Sequence, residues 1–229
     1  MSDLRIKTGA TTVGRATEDG AWIAARGLRD GSISFADFLT VMALEGRCFM
    51  ANAGTGTAPF TGGGAYVNTA PDIDMSVPAG TLVIPYHVAV KFEAYGTDLL
   101  AEVVGAVGTG GVIAPTSATA VTPRNLRLDA PNTSGATIVS DGTGATYMTG
   151  NVYEFMRDGH RFAVTKTASS ATASAFDQEL YTWSAVQTGV YPIMYSASAI
   201  SRLNIFASSQ APTLFINIAY VELPGNFLS

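Results

Sequence analysis

From residue 73 onward the hydrophobic positions recur at every second residue, in short runs closed by glycine, proline or polar residues. Successive side chains on a strand point to opposite faces, so this alternation marks half-buried strands. It predicts strands at 73–77, 81–94, 99–107, 136–140, 152–156, 161–165, 180–186, 193–195, 203–206 and 213–223, with an earlier short one at 21–25. Within 81–94, Leu82, Ile84, Tyr86, Val88, Val90 and Phe92 fall on one face. Val83, Pro85, His87, Ala89, Lys91 and Glu93 fall on the other. Pro85 has no N–H to give a ladder, which predicts an edge position or a bulge. The run 213–223 breaks the rule. Leu214, Ile216, Ile218 and Tyr220 form one face, and Phe215, Ala219, Val221 and Leu223 form the other, interrupted only by Asn217. Both faces are apolar. Helices could cover such a strand in a parallel sheet, but the chain offers too few of them. One face therefore belongs to the core. Phe215, Ala219 and Val221 on the other are expected to meet another subunit.

One segment carries a helical period. Phe35, Phe38, Leu39 and Met42 recur at i, i+3, i+4, i+7, giving one apolar stripe. Ser34 is the expected N-cap, Asp37 lies in the first turn and Gly46 is placed for a C-terminal stop. A helix over about 34–45 is too short to stand alone in water. It must dock, so Phe35, Phe38, Leu39 and Met42 join the expected interface set. The preceding residues carry Arg5, Lys7, Arg15, Arg26 and Arg29 and are read as an extended arm. The glycine- and threonine-rich stretch from Asn52 to Gly64 is read as a linker. The expected organisation is thus an arm, helix and linker over residues 1–60, then a β-sandwich over 61–229. Eight to ten strands punctuated by turns suit a jelly roll, two sheets packed face to face. The run 165–175, nearly all Ala, Ser and Thr, is expected to be an exposed loop.

Composition sharpens the need for a partner. Only 14% of the 229 residues are charged, against about 25% in ordinary globular domains. The surface must then be wetted by Thr, Ser, Asn and Gly, or be covered by neighbours. Net charge is −5 without a Lys/Arg cluster, a poor surface for nucleic acid. No apolar run is long enough to span a bilayer, and the first residues lack a signal peptide's hydrophobic stretch. The single Cys48 rules out an internal disulfide and a cysteine-rich zinc site.

Candidate chemistry is sparse. A hydrolase triad needs a serine positioned beside a histidine and no G-x-S-x-G occurs, so His87 and His160 are read as surface or interface residues. Asp72 and Asp74 flank Ile73 and share a strand face. They could hold calcium with backbone carbonyls, although a solvated strand entrance is the preferred reading. The scattered glutamates select no pair for glycoside hydrolysis. Gly62-Gly63-Gly64 and Gly108-Thr109-Gly110-Gly111 lack the Lys-Ser/Thr of a phosphate loop. Tyr181 and Trp183, two apart on one strand, are read as packing ahead of sugar binding. No catalytic residue, cofactor or metal ligand is assigned.

Several short blocks resemble a group of small bacteriophage virion proteins. They are Arg29-Asp30-Gly31-Ser32; Ala43-Leu44-Glu45-Gly46-Arg47-Cys48-Phe49-Met50-Ala51-Asn52; Ser76-Val77-Pro78-Ala79-Gly80-Thr81; Thr122-Pro123-Arg124-Asn125-Leu126-Arg127; and Ile218-Ala219-Tyr220-Val221-Glu222-Leu223-Pro224. The resemblance covers most of residues 27–224. It implies a trimeric jelly-roll decoration, or cement, protein, made in the bacterial cytoplasm and seated on the outside of a phage head. Its partners would be further copies of itself and the major capsid protein, with no nucleic acid and no membrane. The alternatives are a receptor-binding or tail-fibre head domain, a single jelly-roll major capsid protein, and a carbohydrate-active enzyme.

Overall fold

The computed structural model describes residues 5–7, 22–24, 37–63, 67–94, 100–111, 115–144, 148–161, 180–208 and 212–228. The strands are β1 (Arg5–Lys7), β2 (Trp22–Ala24), β3 (Cys48–Ala53), β4 (Phe60–Thr61), β5 (Ile73–Val77), β6 (Thr81–Ala94) and β7 (Leu100–Thr109). They continue with β8 (Thr119–Val121), β9 (Arg124–Asn125), β10 (Thr137–Ser140), β11 (Gly150–Arg161), β12 (Leu180–Ser184), β13 (Ser201–Ser208) and β14 (Thr213–Pro224). Helix α1 spans Phe38–Leu44 and a single helical turn, α2, spans Ala185–Thr188. Among the described residues, apart from the β1–β2 pair, there are two sheets of six strands. One runs β11-β7-β13-β5-β10-β8; the other runs β12-β6-β14-β3-β9, with β4 also on β14. Every pairing is antiparallel. The protein is an all-β sandwich, as the alternation predicts.

One large core lies between the sheets. Ile73, Met75, Val77, Val103, Leu203 and Ile205 of the first sheet meet Phe49, Val88, Val90, Phe92, Ile216 and Ile218 of the second. Tyr181 and Trp183 belong to it. Tyr181 meets Phe92 edge-on at 5.9 Å and Trp183 meets Phe155 at 4.7 Å, the geometry that aromatic quadrupoles favour. They pack, as expected, and offer no surface to a sugar. Gly105 is required here, since a Cβ on it would lie 2.6 Å from the Phe155 ring.

Strand β6 corrects the expected faces. Its register against β14 slips between Ala219 and Tyr220, which pair with His87 and Pro85 and leave Tyr86 as the extra residue. A bulge reverses the side-chain alternation beyond it. Val83 before the bulge and Val88, Val90 and Phe92 after it all face the core. Leu82 and Ile84 face the opposite side. Pro85 thus sits beside a bulge in an interior strand.

The start of the sandwich also moves. The expected linker contains the end of β3 and all of β4, and β3 lies between β14 and β9 in the second sheet. The sandwich begins at Cys48, ahead of residue 61, because Cys48, Phe49, Met50, Ala51, Asn52 and Ala53 pair with β14 from Val221 back to Ile216. Helix α1 is capped by Asp37, whose carboxylate accepts from Thr40 N–H at 3.0 Å. The expected cap Ser34, together with Phe35 and the run 165–175, lies outside the described residues. The expected strand 193–195 reduces to one bridge, Met194 to Val83, and residues 185–186 open α2 in place of extending β12.

Candidate subunit-contact surface on the second sheet

The outer face of the second sheet holds the second face of β14, and it divides into a closed half and an open half. In the closed half Val221 and Leu223 pack with Leu82, Cys48 and Met42, all buried, with Leu39, Ile84, Tyr86 and Tyr195 around them. Met42 and Leu39 come from α1, so the chain's own helix covers this end. Val221 is fully buried and Ala219 nearly so within one chain. Of the expected interface residues, Met42, Leu39 and Val221 therefore meet one another. Phe38 stands on the helix's outer side, 46% exposed.

The helix is seated by its C-terminal end. Gly46 takes the left-handed conformation that ends helices (φ +67°). Gly46 N–H donates to the Ala43 carbonyl and Arg47 N–H to that of Met42, the paired bonds of a Schellman ending. The carbonyls left over are satisfied from β9 and the loop after it. Arg127 Nη1 donates to Leu44 O at 3.0 Å, Asn132 Nδ2 to Glu45 O at 3.3 Å and Asn125 Nδ2 to Gly46 O at 2.8 Å. Unpaired C-terminal carbonyls are a fixed cost of any helix, and here they specify where α1 docks. Sequence reasoning did not find this clasp, although Asn125 and Arg127 lay in one of the blocks already singled out.

Beyond Ala219 the face is open among the described residues. Cross-strand register aligns Asn52, Asn217, Ala89 and Thr182 in one row, and Phe215, Lys91 and Leu180 in the next. Apart from Thr182, these residues line a groove of about 410 Å³ with Gly54, Thr55 and Gly56 at its side. Phe215 leans over Gly54, where an added Cβ would meet its ring at 2.7 Å. Leu180 is 59% exposed on β12, the outermost described strand of this sheet. β12 reads Leu-Tyr-Thr-Trp-Ser, with no charge. Among the described residues Lys91 is the only charged one lining the groove. His87 sits at the boundary, opposite Ala219 and Ser184.

Asp72 and Asp74 overturn the expected solvated strand entrance, because both are buried. Asp72 accepts from Gly63 N–H at 2.7 Å and from Ala207 N–H at 2.6 Å. Burial nevertheless pushes its carboxyl up to about 6, with Asp141 adding to the rise. Asp74 is held by Arg202, Asn204 and Ser76. Protein donors reach all four carboxylate oxygens, and Arg202 supplies the countercharge for Asp74. Among the described residues no cluster of three metal-ligating side chains forms, and no helix is long and apolar enough to cross a membrane. Cys48 donates weakly to Leu39 O at 3.7 Å, and burial pushes its thiol up to about 11. At the end of the inner face, Tyr220, Ser134 and Glu222 are linked by bonds of 2.7 and 2.5 Å.

Comparison of the chain with protein-family models, with curated proteins and with solved structures finds no match.

Proposed function

We propose that this is a non-enzymatic structural protein of a phage virion, a trimeric decoration protein that binds the outside of the head and stabilises it. The observation that carries the reading is the open row Phe215, Lys91 and Leu180, continued onto the uncharged edge strand β12. Free-standing proteins guard a sheet edge with charge, proline or bulges. β12 has none of these, so a neighbouring copy is its natural cover, and closed rings are the usual outcome of such contacts. Two further features support the reading. β5, β6 and β7 alternate between the sheets, which agrees with a jelly-roll derivative. Four of the five blocks that carry the virion-protein resemblance lie close together, since β3 pairs with both β14 and β9 and β6 opens beside the end of β14; Arg29-Asp30-Gly31-Ser32 lies outside the described residues.

Light scattering on the purified chain tests the assembly, and sedimentation with expanded heads lacking the protein tests the location. A trimer that co-sediments with such heads at hundreds of copies is the expected result. A monomer that leaves them unbound would end this reading. The receptor-binding alternative loses Tyr181 and Trp183, which are in the core.

A further inference from the structure

Two apolar features stand at opposite ends of the second sheet. At one end is the groove of Phe215, Lys91 and Leu180, which opens onto β12. At the other, just past β9, the chain turns through Arg127-Leu128-Asp129-Ala130, closed by Ala130 N–H donating to the Arg127 carbonyl at 3.0 Å. Leu128 at this corner is 98% exposed, the most exposed large apolar residue among those described. Leu44 and Leu126 beside the turn are exposed as well. Turn corners ordinarily carry Gly, Pro, Asn, Asp or Ser. A lone surface leucine needs no explanation, but this one is held in place. The Arg127 guanidinium bonds both Asp129 oxygens at 2.8 and 3.1 Å and also reaches Leu44 O. Leu126 N–H donates to Cys48 O at 2.9 Å, and Arg127 N–H to Asn125 Oδ1 at 2.9 Å. The tip is thus pinned to both α1 and β3. Ordering a loop in advance removes a cost that association otherwise carries, and buried apolar anchors dominate interfaces.

The groove is the complement of this knob. It is concave, walled by Phe215, Leu180 and Ala89, and Lys91 supplies its charge. The knob presents Asp129 beside Leu128, with its side chain 74% exposed. A carboxylate oxygen accepts more than one hydrogen bond, so Asp129 can meet Lys91 while keeping Arg127. Four strand spacings, about 19 Å, separate β9 from β12, so the turn cannot fill its own chain's groove. A second copy brings the two together, and a contact between different patches of successive copies closes a ring. We infer that Leu128 of one copy seats in the Phe215–Leu180 groove of the next, with Asp129 against Lys91, and that three such contacts close the trimer. This rests on the trimeric reading above and supplies its contact.

The test is light scattering on the full chain, on two single variants and on their mixture. Leu128→Glu spoils the knob and keeps the groove; Phe215→Glu does the reverse. Each alone should be a monomer with the wild-type circular-dichroism spectrum. Mixed in equal amounts, they should form a one-to-one dimer, because one intact knob and one intact groove remain. Leu180→Glu serves in place of Phe215→Glu should the latter misfold. Leu128→Ala should raise the trimer's dissociation constant at least about tenfold. A Leu128→Glu protein that stays trimeric would overturn the inference and leave the trimeric reading standing. So would a mixture that stays monomeric beside a trimeric wild type. A monomeric wild type would overturn both.

Discussion

Arg202 Nη1 lies 2.9 and 2.8 Å from the two carboxylate oxygens of Asp74, and both residues are only 2% exposed. The pair joins neighbouring strands β13 and β5 on the face of the first sheet turned away from the core. Asn204 donates to the same carboxylate at 2.7 Å. Removing one partner from a buried pair leaves an uncompensated charge. Asp74→Ala is expected to cost roughly 3–5 kcal/mol of stability. Replacing both, as Asp74→Leu with Arg202→Met, should recover most of it. Urea denaturation at neutral pH checks both, and equal stability of wild type and Asp74→Ala would disprove a paired role.

Asp72 should make stability depend on pH in an unusual sense. Burial pushes its folded carboxyl up to about 6, above the ordinary aspartate value of 3.8. The native state therefore binds the proton more tightly than the unfolded chain. Its contribution is fully present below about pH 4, declines as pH rises to 6, and is flat above that. The shift corresponds to about 3 kcal/mol across the window. Asp72→Asn should remove this slope, measured as the difference between the two proteins' urea stabilities from pH 4 to 7. It should also lower stability at all pH values, because an amide cannot accept from both Gly63 and Ala207.

The two halves of the outer β14 face predict opposite phenotypes. Val221→Glu puts a carboxylate among Leu82, Cys48 and Met42, and should unfold the monomer by roughly 3 kcal/mol or more. Phe215→Glu lies on the open half and should leave the melting temperature nearly unchanged while dissociating the oligomer. Thermal melts paired with light scattering separate the two. The sequence pattern alone assigned Phe215, Ala219 and Val221 to the subunit contact; the burial of Val221 and Ala219 within one chain leaves Phe215.

Cys48 should resist labelling. The thiolate is the reactive form, and burial holds the thiol near 11. At pH 8 its thiolate fraction is about one in a thousand. Reaction with a maleimide or disulfide reagent should proceed only through unfolding, with a rate that rises in urea. Rapid labelling of the native protein would show that α1 detaches readily.

Much of this architecture was legible in the chain. The strands at 73–77, 81–94 and 213–223, the stop at Gly46 and the core face Leu214, Ile216, Ile218 and Tyr220 follow from spacing and turn residues. β3 was missed because Cys48, Phe49, Met50, Ala51, Asn52 and Ala53 carry little alternation, and Ala51 and Ala53 are too small to mark a face. The buried state of Asp72 and Asp74 was missed because two carboxylates beside a proline look like a wet strand end. Arg202 and Asn204, well over a hundred residues away, make the burial of Asp74 tolerable, and the backbone N–H groups of Gly63 and Ala207 do so for Asp72.

The sequence by itself determined that this protein is a β-sandwich with more apolar surface on its last strand than one core can use. Periodicity and composition are local properties, and each strand carries its own. Tertiary structure decided which part of that surface is spare. Helix α1 closes the end at Val221, the bulge at Tyr86 turns Leu82 and Ile84 toward it, and Phe215 and Leu180 are left open. Coverage and register depend on which distant segments meet, and no single strand's alternation encodes that.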